Sequence, residues 1–250
     1  SQMWTEWGAN RSCSKRPVMT RSYGSTQFSC REYIYDYIQD RVAKGDVAPW
    51  GDDHFKASVH LTSFLWAAMD EVIVAAKTVM DWVQSVARLY GAANLPMTWR
   101  CPNGFMVNQM YPEITARRIT TYIDDSLIKP VVHEPRWSKV DSRRMANGAA
   151  PNVVHSLDAS ALDLTVEYIL RRQGAIDLAF VHDSYGCHAA DMPVMEECLR
   201  EAFVAQYRDY DILDYLYKEA KGLFGDEVPE PPAMGDLEIE LVMKSKYFFA

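Results

Sequence analysis

The sequence predicts an α+β chain, mostly helical, with small antiparallel sheets and one strand-turn-strand near its end. Three observations carry this. Apolar residues recur at three-to-four spacing from Leu61 to Ala87, the period of an amphipathic helix. Pro102-Asn103-Gly104 stands between two strand-like segments, which signals a hairpin. The apolar run Ile176 to Val181 leads into His182-Asp183-Ser184-Tyr185-Gly186, so a buried strand is expected to end by displaying an acid.

Taken in order, Arg11 to Ser22 reads as a short helix with Pro17 in its first turn, where a missing N–H does no harm. Gly24-Ser25 ends it. Phe28 to Ala43 follows a helical period and stops at Gly45. The stripe through Leu61, Leu65, Val72, Val79 and Val86 makes one long helix from His54 to Tyr90, closed by Gly91. Met97 to Tyr111 forms the hairpin, and alternation from Arg117 to Ile123 adds a strand. Ser138 to Arg172 is helical again, broken near Gly148 and Pro151, which puts His155 at a helix start. Helices from Pro193 to Tyr207 and Ile212 to Leu223 follow the acid-bearing strand. Pro229, Pro231 and Pro232 make a stiff extended link before the terminal Tyr247-Phe248-Phe249-Ala250.

Composition sets the bounds. With 250 residues and 48% apolar content, the chain can bury a large core in one domain or two sub-domains. No apolar run of about 18 residues exists and no leader pattern opens the chain, so no membrane is expected and the cytoplasm is the expected compartment. Five cysteines, odd in number and without CxxC spacing, argue against a disulfide framework or a zinc site. A net charge of −8 argues on average against a polyanionic partner. The charge is segregated, however: Arg11, Lys15, Arg16 and Arg21 occur with no acid among them, while Glu196 to Glu240 is strongly acidic. A local phosphate-binding surface is therefore compatible with the average. Ser1-Gln2 ahead of Met3 reads as a cloning remnant.

Two constellations could carry chemistry. Arg11, Lys15, Met19 and Tyr23 are spaced four apart, so a helix would align two cations, a thioether and a phenol along one edge. That edge suits a nucleoside triphosphate; by spacing alone it also suits a solvated basic face with two residues packed inward. Asp183 at a strand end could hold a hard cation such as Mg²⁺ on rigid backbone, or His182-Asp183 could merely cap the strand. His155, flanked by apolar residues, reads on its own as a hydrogen-bonded structural histidine.

Together these residues resemble a known family. Arg11-x3-Lys15-x7-Tyr23-Gly24, in the fuller form Lys15-Arg16-Pro17-Val18-Met19-Thr20 before Tyr23-Gly24, is similar to the second polymerase motif of the single-subunit RNA polymerases of phages and mitochondria. His182-Asp183-Ser184-Tyr185-Gly186 is similar to their third motif, with Tyr185 in place of phenylalanine. Pro102-Asn103-Gly104-Phe105, Ala150-Pro151-Asn152-Val153-Val154-His155-Ser156 and the terminal Phe249-Ala250 agree in order and approximate spacing. The resemblance spans essentially the whole chain.

What the resemblance implies is a right-hand polymerase cut in two: fingers over residues 1–155 with the motif-bearing helix, and the C-terminal part of the palm over 156–250. Arg11, Lys15, Arg16, Met19, Tyr23 and His155 would bind the nucleotide, with Lys15 and Tyr23 acting at the chemistry, Tyr23 selecting the ribose and His155 sensing the 2′-hydroxyl. Asp183 would bind the catalytic Mg²⁺ ions, and His182 would lie beside the RNA 3′ end. Ribonucleoside triphosphates, a DNA template and an RNA product follow as partners. The family's first motif, an aspartate before a serine-cysteine-glycine-like stretch, has no counterpart before Arg11. A second polymerase subunit is therefore expected to bring the other aspartate, as in a heterodimeric phage enzyme acting in the host bacterial cytoplasm, the alternative being a proteolytic fragment of a longer enzyme, and the chain alone is expected to be inactive. Rival readings are a DNA polymerase fragment of the same superfamily, a non-catalytic accessory module that binds nucleic acid or a partner, and a His-Asp metal hydrolase. Arg16, Ser184 and His155 lean towards RNA, and the six histidines lack the regular pattern of a hydrolase.

Overall fold

Helices dominate the computed structural model, which describes residues 2–249. Packing divides the chain into two units, Ser1–Val83 and Gln84–Ala250. The 155/156 boundary expected from sequence falls inside a helix of the second unit.

The first unit holds α1 (Gln2–Trp7), α2 (Arg11–Arg21), α3 (Gln27–Ala43), α4 (His54–Val72) and the start of α5 (Val74–Ala92). Side-chain caps start α2 and α3: Asn10 accepts from the Ser12 N–H at 2.9 Å and Thr26 from the Ser29 N–H at 3.2 Å. Trp4, Cys13, Cys30, Ile34, Ile38 and Met69 are buried together, and each large side chain contributes about 1.5–3 kcal/mol on removal from water. Burial also pushes the Cys13 thiol up to about 11, so it stays protonated at neutral pH.

Two expectations are corrected in this unit. The single long helix is two, α4 and α5, bent by 91° at Ile73. Val72-Ile73-Val74 is a run of β-branched residues that crowd a helical turn. Ile73 packs on the core while Val72 is 82% exposed. Pro17 is the seventh residue of α2 rather than part of its first turn. It removes the donor that the Cys13 carbonyl would otherwise accept, and the helix persists because Cys13 and Pro17, four apart, bury one face. No single helix among the described residues is long and apolar enough to cross a membrane.

In the second unit β1 (Met97–Arg100) and β2 (Met106–Gln109) form the expected hairpin, Met97 facing Gln109. A ribbon follows: β3 (Pro112–Arg118), β4 (Thr121–Ile123), β5 (Ser126–Ile128) and β6 (Val131–Val140), with β3 antiparallel to β6 and β4 to β5. The expected strand from Arg117 to Ile123 is thus parts of two strands. After α6 (Ser142–Gln173) come β7 (Leu178–Val181), β8 (Ser184–Cys187), α7 (Met192–Asp209) and α8 (Ile212–Phe224), close to the helices expected after the acid. Residues 229–238 have no regular structure, and a 3₁₀ helix, Ile239–Lys244, lies in the tail.

The break expected at Gly148 and Pro151 does not occur, since α6 runs unbroken for 32 residues. Pro151 leaves the Asn147 carbonyl without its usual donor, a loss of about 3 kcal/mol in a helix interior. Met145, Ala146, Ala149, Ala150 and Val153 are all buried around it, and that packing holds the helix. Gly148 serves contact rather than flexibility: a Cβ there would lie 2.7 Å from the Tyr111 ring. That ring is pinned by Asn152, whose Nδ2 donates to the Tyr111 hydroxyl at 3.0 Å, and lies under the Arg144 guanidinium. Gly148→Ala is therefore expected to destabilise the chain by about 1–3 kcal/mol, read as a lower denaturant midpoint at unchanged slope. An unshifted midpoint would mean that Tyr111 yields freely.

Candidate active site

Asn10 caps α2, so Arg11, Lys15 and Met19 lie four apart on a real helix and all three are exposed, Met19 by 52%. The opposite face, Cys13 and Pro17, is buried. Tyr23 stands two residues beyond the helix end, half-buried, in a turn closed by Gly24 at φ 83°, a left-handed conformation that suits glycine. The Ser25 N–H returns to the Thr20 carbonyl at 3.1 Å.

The basic residues of this segment divide their tasks. Arg21 is nearly buried, its guanidinium 2.5 Å from Asp70 and 4.2 Å over the Trp66 ring. The hydrogen bond from Arg21, helped by Lys77 at 3.4 Å, holds the Asp70 carboxyl below the usual range. Arg16 lies over the Tyr33 ring at 4.3 Å with Asp36 3.9 Å away. Arg11 and Lys15, by contrast, have no carboxylate within 4 Å among the described residues. The structure places Arg16 against α3, off the edge formed by Arg11, Lys15 and Met19.

In the second unit a two-residue turn joins β7 to β8, with Val181 paired to Ser184 and His182-Asp183 between them. His182 has φ 54°, a left-handed conformation costing about 1–2 kcal/mol for a non-glycine residue. Strain at a turn tip persists only where its surroundings hold it. One face of this ribbon, Leu178, Phe180, Tyr185 and Cys187, packs on Ile169, Met195 and Cys198. The other face is open and Val181 is 65% exposed. The strand expected to be buried throughout is therefore shorter and buried on one side, because a two-stranded ribbon alternates its side chains. Both His182 and Asp183 are exposed.

His155 lies in the middle of α6 rather than at a helix start. Helix α6 is clamped to the first hairpin, since Trp99 Nε1 donates to Ser156 Oγ at 2.9 Å and the Asn103 N–H to Ser160 Oγ at 2.9 Å. Asp158, three residues after His155, falls within the electrostatic reach of both His155 and Asp183. Partial burial pushes its carboxyl up, the charge of Asp183 adds to that, and His155 offsets it. Tyr185 feels the same field: burial, then Asp158, Asp163 and Asp183, push its hydroxyl up. The structure thus gathers His155, Asp158 and Asp183 in one neighbourhood of the second unit.

Comparison with known proteins decides the family. A family model described as DNA-dependent RNA polymerase matches residues 2–228. The chain belongs to this family. It is 30% identical to the DNA-directed RNA polymerase of Enterobacteria phage T3, over 100% of this chain and 30% of that protein. It is 29% identical to T7 RNA polymerase of Escherichia phage T7, over 99% of this chain and 30% of that protein. It is 31% identical to the mitochondrial DNA-directed RNA polymerase 1B of Nicotiana tabacum, over 96% of this chain and 23% of that protein. The chain spans about a third or less of the length of these three relatives.

Sequence reasoning noted Asp158 and Asp191 near Asp183 but found no reason for either to substitute for the second carboxylate, and did not relate Asp158 to His155. The signal was present, as His155-x-x-Asp158 puts both on one helical face once α6 is known to be continuous. Removing the charge of Asp183 by Asp183→Asn is expected to lower the titration midpoint of Asp158, followed by carboxyl chemical shift against pH. An unmoved midpoint would separate the two groups.

Proposed function

We propose that these residues form the nucleotide-binding and late-palm part of a DNA-directed RNA polymerase. The observation that carries the proposal is the exposed Asp183 carboxylate on a strained two-residue turn, in a chain of the polymerase family. On α2, the two cations not engaged by carboxylates, Arg11 and Lys15, would neutralise the triphosphate. Met19 on the same edge offers polarizable surface for the base, and Tyr23 at the end of α2 would contact the sugar. His155 would sense the ribose 2′-hydroxyl, and His182 would lie beside the RNA 3′ end. Arg16, engaged by Tyr33 and Asp36, is assigned to support of α2 rather than to first contact with nucleotide.

An exposed carboxylate on hydrogen-bonded strands has the oxygen chemistry that Mg²⁺ prefers. It is one ligand only: no group of three His, Cys, Asp or Glu among the described residues could hold a metal ion. Asp183 would help to hold Mg²⁺, which would supply activation of the 3′-hydroxyl and stabilisation of the leaving pyrophosphate. Asp183 would contribute half of the carboxylate pair this requires. The other half would come from polypeptide outside these 250 residues, and a partner subunit is the form of the proposal put to test.

In a polymerase assembled from the chain and a second polypeptide that supplies the other carboxylate, Asp183→Ala is expected to abolish nucleotide addition while leaving assembly intact. Substantial residual activity would refute the metal assignment. Tyr23→Phe is expected to reduce discrimination against deoxyribonucleotides, measured as the ratio of kcat/KM for the two sugars. An unchanged ratio would remove Tyr23 from sugar selection.

A further inference from the structure

The tail of the chain is tied down by a buried guanidinium. Arg200, in the middle of α7, has a side chain only 8% exposed, and a buried guanidinium must find acceptors for its fixed fork of donors. One terminal nitrogen donates to the carbonyls of Val242 at 2.7 Å and Ser245 at 2.8 Å, and the other to Glu196 Oε1 at 3.0 Å. The Val242 carbonyl lies within the 3₁₀ helix Ile239–Lys244 and that of Ser245 directly after its end. That helix brings little packing of its own, since Leu241 and Met243 are 49% and 41% exposed. The Arg200 guanidinium also lies 5.3 Å over the Phe248 ring, which meets Phe203 at 5.0 Å.

From this anchor the chain turns back, with Ser245 Oγ donating to the Tyr247 carbonyl at 2.8 Å. Phe249 then places its ring 4.8 Å from Tyr185, which stacks on Phe180 at 4.5 Å. Phe180 and Tyr185 are a cross-strand pair adjacent to Val181–Ser184, the pair that closes the Asp183 turn. A ribbon of two strands is marginal by itself, and this one carries a left-handed histidine at its tip. The aromatic stack next to the turn is therefore where its geometry can be fixed.

We propose that Arg200 is a positioning residue for the catalytic turn: by clipping the carbonyls of Val242 and Ser245 it holds Phe249 on Tyr185, and so holds Asp183 in place. The proposal rests on the assignment of Asp183 to the polymerase metal site for its catalytic consequence, but not for its structural one. Arg200→Met keeps volume and helix propensity while removing the clip. Arg200→Lys keeps the charge with a donor able to reach one carbonyl.

The test has two arms. In the full chain, amide exchange at residues 182–187 is compared for wild type, Arg200→Met, Arg200→Lys, Phe249→Ala and the Arg200→Met/Phe249→Ala double variant. Arg200→Met and Phe249→Ala are each expected to speed exchange roughly tenfold, the scale of a charge-assisted hydrogen bond. The double variant should go no further than either, and Arg200→Lys should lie between. Unchanged exchange in Arg200→Met, or additive effects in the double variant, overturns the clip. In the assembled polymerase, Arg200→Met is expected to lower kcat with KM for the nucleotide unchanged, partly rescued by Arg200→Lys. A turn that loosens while kcat stays at the wild-type value overturns the positioning role. Loss of the metal assignment is distinguished because it would show as activity retained in Asp183→Ala, with the exchange results unaffected. Should Arg200→Met fail to fold, Arg200→Lys and Phe249→Ala answer the same questions.

Discussion

The second unit depends on α6 running unbroken through Pro151. The first hairpin, α7 and the β7–β8 ribbon are fastened to that helix at points spread along its length. Trp99 and Asn103 of the first hairpin reach Ser156 and Ser160, Gln206 of α7 donates to the Leu157 carbonyl at 3.2 Å, and Arg172 near the helix end pairs with Glu197 and Glu201. A break at residues 148–151 would separate that anchored segment, with His155 and Asp158, from the start of the helix, which Gln109 holds by donating to the Met145 carbonyl at 2.9 Å. The proline is tolerated because its segment is the most deeply buried part of the helix, where packing over several side chains outweighs one missing hydrogen bond.

In the first unit the governing constraint is electrostatic. A helix with four cations and no acids would be repelled by itself and by little else unless some of them were neutralised. Arg21 is neutralised by Asp70 and Arg16 is drawn to Tyr33 and Asp36, which fastens α2 to α3 and α4. That leaves Arg11 and Lys15 outward at four-residue spacing. Exposed pairs such as Arg16 and Asp36 contribute little stability by themselves; the nearly buried Arg21–Asp70 contact carries more of the fastening, with Trp66 shielding the guanidinium from water.

Much of this was legible in the sequence, and the failures have specific physical causes. The α2 helix, the Pro-Asn-Gly hairpin and the turn bearing Asp183 are local features, set by spacing and turn chemistry within about a dozen residues, and the structure has them. The bend at Ile73 was hidden because an apolar period carries on through a change of axis. The fate of Arg16 and Arg21 was hidden because Asp70 and Trp66 are remote in sequence. The β3–β6 pairing was missed for a similar reason: nearly every residue of both strands is exposed, so no inward-facing alternation announced them. Gly148 and Pro151 gave a false break, since both are local breakers whose effect is decided by Tyr111 and the buried neighbours. Asp158 was set aside because its relation to Asp183 passes through the packing of β7–β8 on α6, not through spacing.

The central claim is that these residues supply one carboxylate of a two-carboxylate polymerase centre. RNA primer extension on a DNA template with Mg²⁺, comparing the chain alone with the chain plus a second polypeptide carrying the other carboxylate, tests it most directly. The account predicts extension only in the mixture. Extension by the chain alone would contradict it by requiring a complete metal site within these residues, and silence in both would contradict it in favour of a binding module that has the polymerase sequence without the chemistry.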